Sequence, residues 1–353
     1  MRIGFAFNQK PTDEETGEPD EPPSREAGPE GTAHDRFAEW DDAATIAAVE
    51  SALRTAGEVI RLEADETLPE RLRIARPDIV FNIAEGLDGP NREAHVPALC
   101  EFLGIPHTAS DPLTLSLALD KRRAKEVFLA RGVPTPAWAV AGTSDPIAGL
   151  LGGDAGPWVV KPLYEGSSKG IPERAYCTTI DAVRGRVSEI ESGYGQPALI
   201  EEFLPGREFT VGVLGNGRSA FALPIVEIRF DALPAGALPV YGYEAKWVWD
   251  RADQPLAMFE CPARIDASLS EAVGHVALAA YHALGCRDWG RIDVRLDAAG
   301  APHVIEVNPL PGILPDPRQN SCLPKAARAA GIEYDDLILA VLDLALERYG
   351  MRR

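Results

Sequence analysis

Short apolar runs alternate with an amphipathic stretch in the first part of the chain. The run RIGFAF follows the initial methionine and DIVFNIA spans 78–84; both are typical of buried strands, because nearly every position is apolar. Between them, apolar residues recur every three or four positions over 42–56, and Gly57 follows. This spacing predicts a helix that stops at the glycine. A strand, a helix and a strand in this order favour a parallel sheet.

The middle of the chain begins with a helix that has clear end signals. Asp120 is a suitable N-cap, apolar residues recur on one face after it, and Gly132 ends the pattern with a proline beyond. The runs WVVKP (158–162) and ALIEEFL (198–204) then predict two strands.

Strict alternation of apolar and polar residues opens the last part of the chain. REFTVGVL alternates in this way, and FALPIVEI follows it after GNGRSA. Those six residues fit the dinucleotide-binding pattern G-x-G-x-x-A, but that fingerprint has to open a helix after a strand. An Asn-Gly pair between two strands predicts a hairpin instead. We therefore predict a hairpin here and reject a dehydrogenase.

Two helices and a second hairpin complete the pattern. A helix over 269–284 is predicted from a capping box of Ser268 with Glu271, and a last helix over 336–349. Between them, RIDVRLD and HVIEVN predict two strands joined by the turn AAGAP. This order of elements predicts three domains, over 1–110, 111–203 and 204–353.

Length and charge narrow the class of protein. A chain of 353 residues exceeds one ordinary core. The formal charge of −19 and the lack of a basic run argue against nucleic acid and anionic membranes as partners. No stretch reaches the roughly 18 apolar residues of a membrane span, and the first apolar segment is too short for a signal peptide. The five scattered cysteines lack zinc-binding spacing, so a reduced, cytoplasmic location is expected.

An acidic segment over 11–30 separates the first predicted strand from its helix. It carries eight acidic residues, one arginine and several prolines and glycines. A solvated, mobile loop is one interpretation. A lid over the substrate is the other, because the carboxyl end of a first parallel strand is where α/β proteins bind ligands.

Three oxygen-bearing side chains lie on the predicted C-terminal hairpin. Residues two apart share a strand face, so Asp293 lies with Arg291 on the first strand, and Glu306 lies with Asn308 on the second. If the strands pair, Asp293, Glu306 and Asn308 converge. Two carboxylates and an amide oxygen suit Mg²⁺, which also binds substrate phosphates. The alternative is a half-exposed polar face without a metal.

Two lysines and a loop of small residues form a candidate phosphate site. Lys161 ends the apolar run WVV, where burial of its charge is unfavourable unless an anion meets it. Lys121 begins a helix and, taken alone, is more typical of a solvated surface. The loop 166–168 lacks the spacing of a P-loop. Together with both lysines it nevertheless favours a nucleotide cradle.

These motifs, in this order, resemble the D-alanine–D-alanine ligase family of the ATP-grasp superfamily. The resemblance covers most of the chain after 78 and rests on Asp120-Lys121, VVKPLYEGSSKGI, LIEEFLPGREFTVGVLG, YEAK, CRDWGRIDVRLD and IEVNPLPG. It implies the ATP-grasp fold, of mixed α/β and α+β class: an N-terminal parallel α/β domain and two α+β domains that clamp ATP. It also implies a cytoplasmic, commonly homodimeric enzyme that uses ATP with Mg²⁺, or with Mn²⁺ in its place.

The resemblance also implies roles for residues of this chain. It implies that the nucleotide contacts Lys121, Lys161, Gly166, Ser167, Ser168, Glu201, Glu202, Phe203, Leu204, Glu208 and Lys246. Within this set, 201–204 match the hinge that reads adenine, and Glu208 matches the ribose ligand. It implies Asp293, Glu306 and Asn308 as the metal ligands and Arg291, Ser167 and Gly312 as the catalytic residues. Arg291 would stabilise an acyl phosphate, and the Gly312 N–H would donate to an oxyanion.

Three departures from the family pattern fall on substrate positions. The glutamate that binds the first amino acid's ammonium has no alignable counterpart; Glu85 or Glu93 is a substitute, with a structural or solvated role as the alternative. Trp247 follows YEAK where the family carries a tyrosine, and indole has no hydrogen-bond acceptor. In the lengthened loop after PLPG, Ser321 matches a serine that binds the second substrate's carboxylate. Arg318 is a further candidate there, or an exposed loop arginine.

The ATP and metal positions are therefore kept, whereas the substrate positions differ. We predict an ATP-dependent carboxylate–amine ligase that forms a peptide or amide bond through an acyl phosphate and releases ADP and phosphate. Its substrates are predicted to be a pair of amino acids or peptides other than D-alanine with D-alanine, with D-alanine and D-alanine as the alternative pair. The alternative is a nucleotide-binding regulatory or interaction protein without ligase activity.

Overall fold

The computed structural model describes residues 1–11, 36–151, 156–234, 238–240, 242 and 256–353. Within these ranges the strands are β1 (Arg2–Phe7), β2 (Glu58–Glu63), β3 (Ile79–Asn82), β4 (Trp138–Ala141), β5 (Trp158–Pro162), β6 (Tyr176–Cys177), β7 (Ala198–Glu202), β8 (Glu208–Leu214), β9 (Phe221–Ala222), β10 (Val226–Ile228), β11 (Phe259–Glu260), β12 (Trp289–Leu296) and β13 (Pro302–Asn308). The helices are α1 (Ala43–Arg54), α2 (Leu68–Ala75), α3 (His95–Leu103), α4 (Pro112–Leu119), α5 (Lys121–Arg131), α6 (Ile147–Leu150), α7 (Ile180–Tyr194), α8 (Ala267–Leu284), α9 (Cys322–Ala329) and α10 (Tyr334–Arg348). Among these helices, none combines the length and the apolar character that crossing a membrane requires.

The first sheet is parallel and has the strand order β2-β1-β3. Its central strand, β1, is apolar on both faces, as a strand buried between two layers requires. Helix α1 begins after Asp42, whose carboxylate accepts a hydrogen bond from the Thr45 N–H at 2.6 Å. The parallel strand–helix–strand unit predicted from the first apolar runs is confirmed.

The second sheet is antiparallel and has the order β4-β7-β5-β6. Helix α7 covers one of its faces, where Val183 packs against Val160 in the same apolar core. Helix α5 begins and ends as predicted: the Asp120 carboxylate accepts a hydrogen bond from Arg123 N at 3.1 Å, and Gly132 ends the helix with a φ of 70°. This helix shares its apolar core with α8 of the C-terminal part, so it joins the second sheet to the third.

The third sheet is antiparallel and follows the path β11-β10-β8-β12-β13, with β9 paired to β8. A 3₁₀ turn over Gly217–Ser219 joins β8 to β9, which confirms the hairpin and removes the helix that a dinucleotide fingerprint needs. The run FALPIVEI divides into β9 and β10 around Pro224, since proline cannot donate to a strand ladder.

The capping box predicted for α8 is wrong. The helix starts at Ala267, because the carboxylate of Asp266 accepts a hydrogen bond from Leu269 N at 2.8 Å. Asp266 has extended backbone angles, and its short carboxylate reaches the free N–H groups of the first turn. Ser268 therefore lies inside the helix. The last helix, α10, also begins two residues before the predicted position 336.

Buried polar contacts around Asp288 connect the N-terminal and C-terminal parts. Its carboxylate accepts hydrogen bonds from Ala109 N at 2.8 Å, Asn216 Nδ2 at 2.9 Å and Arg348 Nη2 at 2.8 Å. The side chain is fully buried, and four groups from distant parts of the chain meet there. This contact holds the first sheet beside one end of the third, and residues from all three sheets and their loops border one cleft.

Candidate active site

Two connected cavities form this cleft. The larger, of about 340 Å³, lies between the second sheet and the hairpin β12–β13, and the smaller, of about 90 Å³, reaches the N-terminal part. Among the residues predicted for the site, the larger cavity is lined by Lys161, Gly166, Ser167, Ser168, Glu201, Glu202, Phe203, Leu204, Glu208, Arg291, Asp293, Glu306, Gly312 and Ser321. Asn308 and Glu85 line the smaller one. The cavities connect because Gly166, Ser167, Arg291 and Gly312 border both.

A carboxylate between two lysines forms the wall on the second sheet. Glu201 on β7 makes ion pairs of 2.5 Å with Lys161 on the neighbouring strand and with Lys125 on α5, and all three side chains are buried. Burial by itself would raise the pKa of Glu201, but the two ammonium groups lower it to about 2. The anion required beside Lys161 is therefore partly supplied by the protein itself, which fixes this ammonium in the cavity wall.

Lys121 is buried at the start of α5. Its ammonium lies 3.2 Å from the carboxylate of Glu306 and donates a hydrogen bond to the carbonyl of Glu165. The alternative of a solvated surface lysine is therefore wrong. Burial opposes ionisation of Glu306, yet the charges of Lys121 and Lys161 lower its pKa.

The oxygen-bearing side chains of the C-terminal hairpin converge. Strands β12 and β13 pair with Asp293 opposite Glu306 and with Arg291 opposite Asn308. Asp293 Oδ2 accepts hydrogen bonds from Asn308 Nδ2 at 3.2 Å and from Arg291 Nη2 at 3.0 Å. Two carboxylates and an amide next to a cleft fit a divalent cation that prefers oxygen. Their role as metal ligands stays a prediction.

The loop after β13 is folded around Ser321. Its hydroxyl donates a hydrogen bond to Gly312 O at 3.0 Å and accepts one from Leu314 N at 3.1 Å. Because Ser321 is buried and bonds within its own loop, it fixes the backbone of Gly312 at the junction of the two cavities. Arg291 lies on the same wall, so a guanidinium and a loop backbone face one point in the cleft.

The glycine–serine loop is attached to the N-terminal part of the chain. The Gly166 N–H donates to the carboxylate of Glu39 at 2.9 Å, and Arg92 Nη1 donates to Tyr164 O at 2.8 Å. Glu39 also forms ion pairs with Arg92 at 2.8 Å and with Lys169, inside the loop, at 2.9 Å. These side chains are almost inaccessible, so the loop is held across the cleft by buried charges.

Ser167 and Ser168 have left-handed backbone angles, with φ of 50° and 60°. Residues with a Cβ rarely adopt this region, and such strain persists only where surrounding contacts hold it. The bonds of Gly166 and Lys169 on either side provide that support.

The opposite end of the larger cavity is formed by Glu208, Arg295 and Phe203. Arg295 Nη1 lies 2.7 Å from the Glu208 carboxylate, and its guanidinium lies 4.7 Å from the centre of the Phe203 ring. Burial raises the pKa of Glu208, and the charge of Arg295 opposes that rise. This end lies beside the terminus of β7, where the family resemblance implies the adenine hinge.

The smaller cavity has an acidic wall. Glu85 lies there with Asp41 and Glu93. Burial, reinforced by the charge of Glu93, raises the pKa of Glu85 well above its ordinary value. A substrate role for Glu85 stays a prediction, and the structure adds two neighbouring carboxylates to it.

Four predicted residues are not among those that line the two cavities. Lys121 is connected to the cleft through its ion pair with Glu306, which borders both cavities. Arg318 has 81% of its side chain exposed, because the Asp316 carboxylate two residues earlier holds its guanidinium at 2.6 Å. It lines neither cavity and has the position of an exposed loop arginine. Lys246 and Trp247 lie outside the described residues, as does most of the acidic segment 11–30.

Several charged residues of the site were missed in the sequence, among them Glu39, Asp41, Arg92, Lys125 and Lys169. Lys125 follows Lys121 by one helical turn, so the shared face was an available signal. Lys169 was visible as a charge in a loop of small residues. Glu39 and Arg92 lie in irregular segments that gave no periodic signal, and only their meeting in space reveals them.

Residues 153–343, more than half of the chain, match the family model described as D-ala D-ala ligase C-terminus. The chain belongs to this family. A D-alanine–D-alanine ligase of Bordetella pertussis is 40% identical over 242 residues, which are 69% of this chain and 71% of that protein. The uncharacterized protein y4sG of Sinorhizobium fredii is 35% identical over 322 residues, 88% of this chain and 90% of the relative.

A solved structure agrees over almost the whole chain. The D-alanine–D-alanine ligase of Bacillus anthracis, in a crystal structure complexed with ATP, has a TM-score of 0.69 and 25% identity. The match covers 99% of this chain and 98% of that one. The ATP-grasp fold predicted from the motifs is thereby confirmed, and the similarity in fold includes the N-terminal part, where the sequence resemblance was weak.

Proposed function

We propose that this protein is an ATP-dependent ligase that joins the carboxylate of one amino acid or peptide to the amine of another. The observation that carries the proposal is the meeting, in one cleft, of a wall that contains Lys161 with the convergent Asp293, Glu306 and Asn308. Arg291 borders both the larger cavity and the smaller one. A phosphate-binding wall beside a separate substrate cavity is the arrangement that carboxylate activation needs.

The chemistry has two displacements. An oxygen of the first substrate's carboxylate attacks the γ-phosphorus of ATP, the bond to the bridging oxygen breaks, and ADP leaves with an acyl phosphate formed. The amine of the second substrate then attacks the acyl carbon, the carbon–oxygen bond to phosphate breaks, and the amine loses a proton. Both steps place negative charge where positive groups stabilise it.

Each role follows from position in the cleft. Lys161 and Lys121 supply positive charge on the nucleotide side, each held by a carboxylate of the protein. Arg291 borders both cavities, so its guanidinium stabilises the acyl phosphate and the tetrahedral oxyanion. Gly312, whose backbone is fixed by Ser321, offers an N–H at the same junction.

A divalent cation belongs to this proposal as a cofactor. Asp293, Glu306 and Asn308 provide hard oxygen donors, and the hydrogen bonds from Thr210, Arg291 and Asn308 hold the Asp293 carboxylate at the hairpin. When bound, Mg²⁺ or Mn²⁺ would neutralise charge on the phosphates.

The substrate pair is proposed to differ from D-alanine with D-alanine. The support lies in the smaller cavity, whose wall carries Glu85, Asp41 and Glu93. Trp247 follows the YEAK motif in place of the family's tyrosine, which supports the same view from the sequence.

Release of ADP and phosphate with amino acids tested singly and in pairs checks the function, with mass spectrometry of the products. We expect stoichiometric ADP, phosphate and a condensed product for at least one pair. Asp293→Asn should abolish the product, whereas Glu70→Gln, on the exposed surface of α2, should leave turnover intact. Tight binding of Mg-ATP without turnover of any pair would instead favour a nucleotide-binding regulatory protein.

A further inference from the structure

The smaller cavity has an excess of acidic side chains. Its lining includes the acids Glu39, Asp41, Glu85, Glu93 and Glu306 and the single base Arg291. A cavity with this charge repels a phosphate or a second carboxylate and attracts a cation.

The protein itself neutralises two of the acids. Glu39 is paired with Arg92 at 2.8 Å and with Lys169 at 2.9 Å. Glu306 is paired with Lys121 at 3.2 Å. Arg291 is engaged by Asp293, a residue of the larger cavity. The cations of these pairs are therefore not available to form ion pairs with the remaining acids of the cavity.

Asp41, Glu85 and Glu93 have no such partner. Across the part of the chain that the structure describes, their carboxylates have no ion pair or hydrogen bond with another residue. Glu93 is the clearest case, because it is only 8% exposed yet borders the cavity. Buried carboxylates are almost always paired or bound to a ligand.

A metal ion does not explain these carboxylates. Within the described ranges, no three acidic, histidine or cysteine side chains lie close enough together to hold one. The acids surround open space instead of a point, so a larger, organic cation fits the site better.

We propose, on the basis of the ligase function above, that the amino-acid substrate of the smaller cavity is a diamino acid whose second ammonium lies among Asp41, Glu85 and Glu93.

Charge counting favours a second amine over the α-ammonium alone. A simple amino acid carries one ammonium and one carboxylate, so its binding leaves the net charge of the cavity unchanged. A diamino acid brings one further positive charge into a cavity that has three unpaired acids. The charge of −19 on the whole chain adds a long-range attraction for such a cation.

The protonation of the free cavity agrees with this proposal. Burial, with a contribution from Asp42, raises the pKa of Asp41 to about 7. Burial raises the pKa of Glu93 to about 8, with Arg92 opposing and Glu39 reinforcing the rise. A bound ammonium favours the ionised carboxylates, so binding should release protons near neutral pH, and affinity should increase from pH 6 to pH 9.

Matched pairs of amino acids test the proposal. Both enantiomers of ornithine are compared with those of norvaline, which has a side chain of similar length without the amine, each alone and paired with alanine under Mg-ATP. We expect kcat/KM for one ornithine enantiomer to exceed that for norvaline by at least about 100-fold. Calorimetry with Mg-ADP, in two buffers of different ionisation enthalpy, should detect proton release with ornithine only.

Conservative variants locate the effect. Glu93→Gln and Glu85→Gln should each reduce the ratio of kcat/KM for ornithine over norvaline by about 10-fold or more, and Glu70→Gln should not change it. Equal turnover of ornithine and norvaline, without proton release, would overturn the diamino-acid proposal and leave the ligase intact. Absence of turnover with every amino acid would overturn both.

Discussion

The two cavities of the cleft treat buried carboxylates in opposite ways. In the larger one, Glu201 lies between two ammonium groups at 2.5 Å, and its pKa is lowered to about 2. In the smaller one, Glu93 is also buried but makes no ion pair or hydrogen bond within the described residues, and burial raises its pKa to about 8 although the charge of Arg92 opposes the rise. The same functional group is thus paired with cations in one cavity and is without an ion pair in the other, where we propose that it binds the substrate.

The two cavities also differ in whether their charged side chains are paired within the protein. Lys125, Glu201 and Lys161 form a closed set that holds the lysine positions whether or not a nucleotide is present. Glu93 and Glu85 make no ion pair within the described residues, so a bound cation would add stabilisation to their ionised forms. Variants at these positions test the difference between the two cavities.

The largest effect is expected for Glu201→Ala. This change leaves two buried lysines without their counter-ion, which typically lowers the free energy of unfolding by about 3–5 kcal/mol. Urea unfolding checks it, with Glu70→Ala as the exposed control. A variant as stable as the parent would show that the lysines are not held by Glu201.

Arg291→Ala is expected to act on catalysis more than on stability. Loss of a preorganised positive group at the junction of the cavities should lower kcat by about 10²- to 10³-fold. Steady-state ADP release measures this, and Arg73→Ala on the surface of α2 serves as the control. A change in KM alone would place Arg291 in substrate binding only.

Glu93→Gln is expected to stabilise the free protein. The pKa of Glu93 lies near 8 in the folded protein against an ordinary 4.5, so the folded state keeps this proton longer than the unfolded chain does. Its contribution to stability is therefore present below pH 4.5 and is lost as the pH rises to 8. The variant lacks this loss, so we expect it to be more stable by about 1–3 kcal/mol at pH 9 and to differ little at pH 5.

Thermal unfolding at both pH values decides the outcome for Glu93. Equal stability of variant and parent at pH 9 would mean that the carboxylate is already compensated. Ornithine should reduce the advantage of the variant, because it stabilises only the parent's ionised side chain.

Arg318→Ala should have the smallest effect. The side chain is exposed and bound to Asp316, so turnover should change by less than about twofold and the midpoint of thermal unfolding should not move measurably. A large rise in KM for the second substrate would instead support the carboxylate-binding role predicted from the sequence.

The alternation of residues along two strands was enough to bring Asp293 and Glu306 together. Strand period and a short turn fix which side chains share a face, and the register then places these two opposite each other. Local spacing also located Asp120 and Gly132 at the ends of α5. At α8 it failed, because several residues near a helix start can cap, and the backbone angles at Asp266 decide among them.

Contacts between distant irregular segments could not be predicted from the sequence. Gly166 meets Glu39 across 127 residues, and Arg92 meets Tyr164 across 72. Neither partner lies on a periodic element, so no spacing rule connects them. The ion pair of Lys161 with Glu201 escapes prediction for a different reason. Both residues lie on strands, but their spacing does not show that these strands are neighbours, so the sequence indicates only an external anion for Lys161.

The hydrogen bond between Gly166 and Glu39 affects how ligands enter and leave the cleft. Gly166 and Ser167 border both cavities, so the same loop lines the proposed nucleotide side and the proposed substrate side. Displacement of the loop would require separation of the buried Glu39–Lys169 pair and would change the lining of both cavities together. We therefore expect that substrate binding in one cavity is coupled to product release from the other.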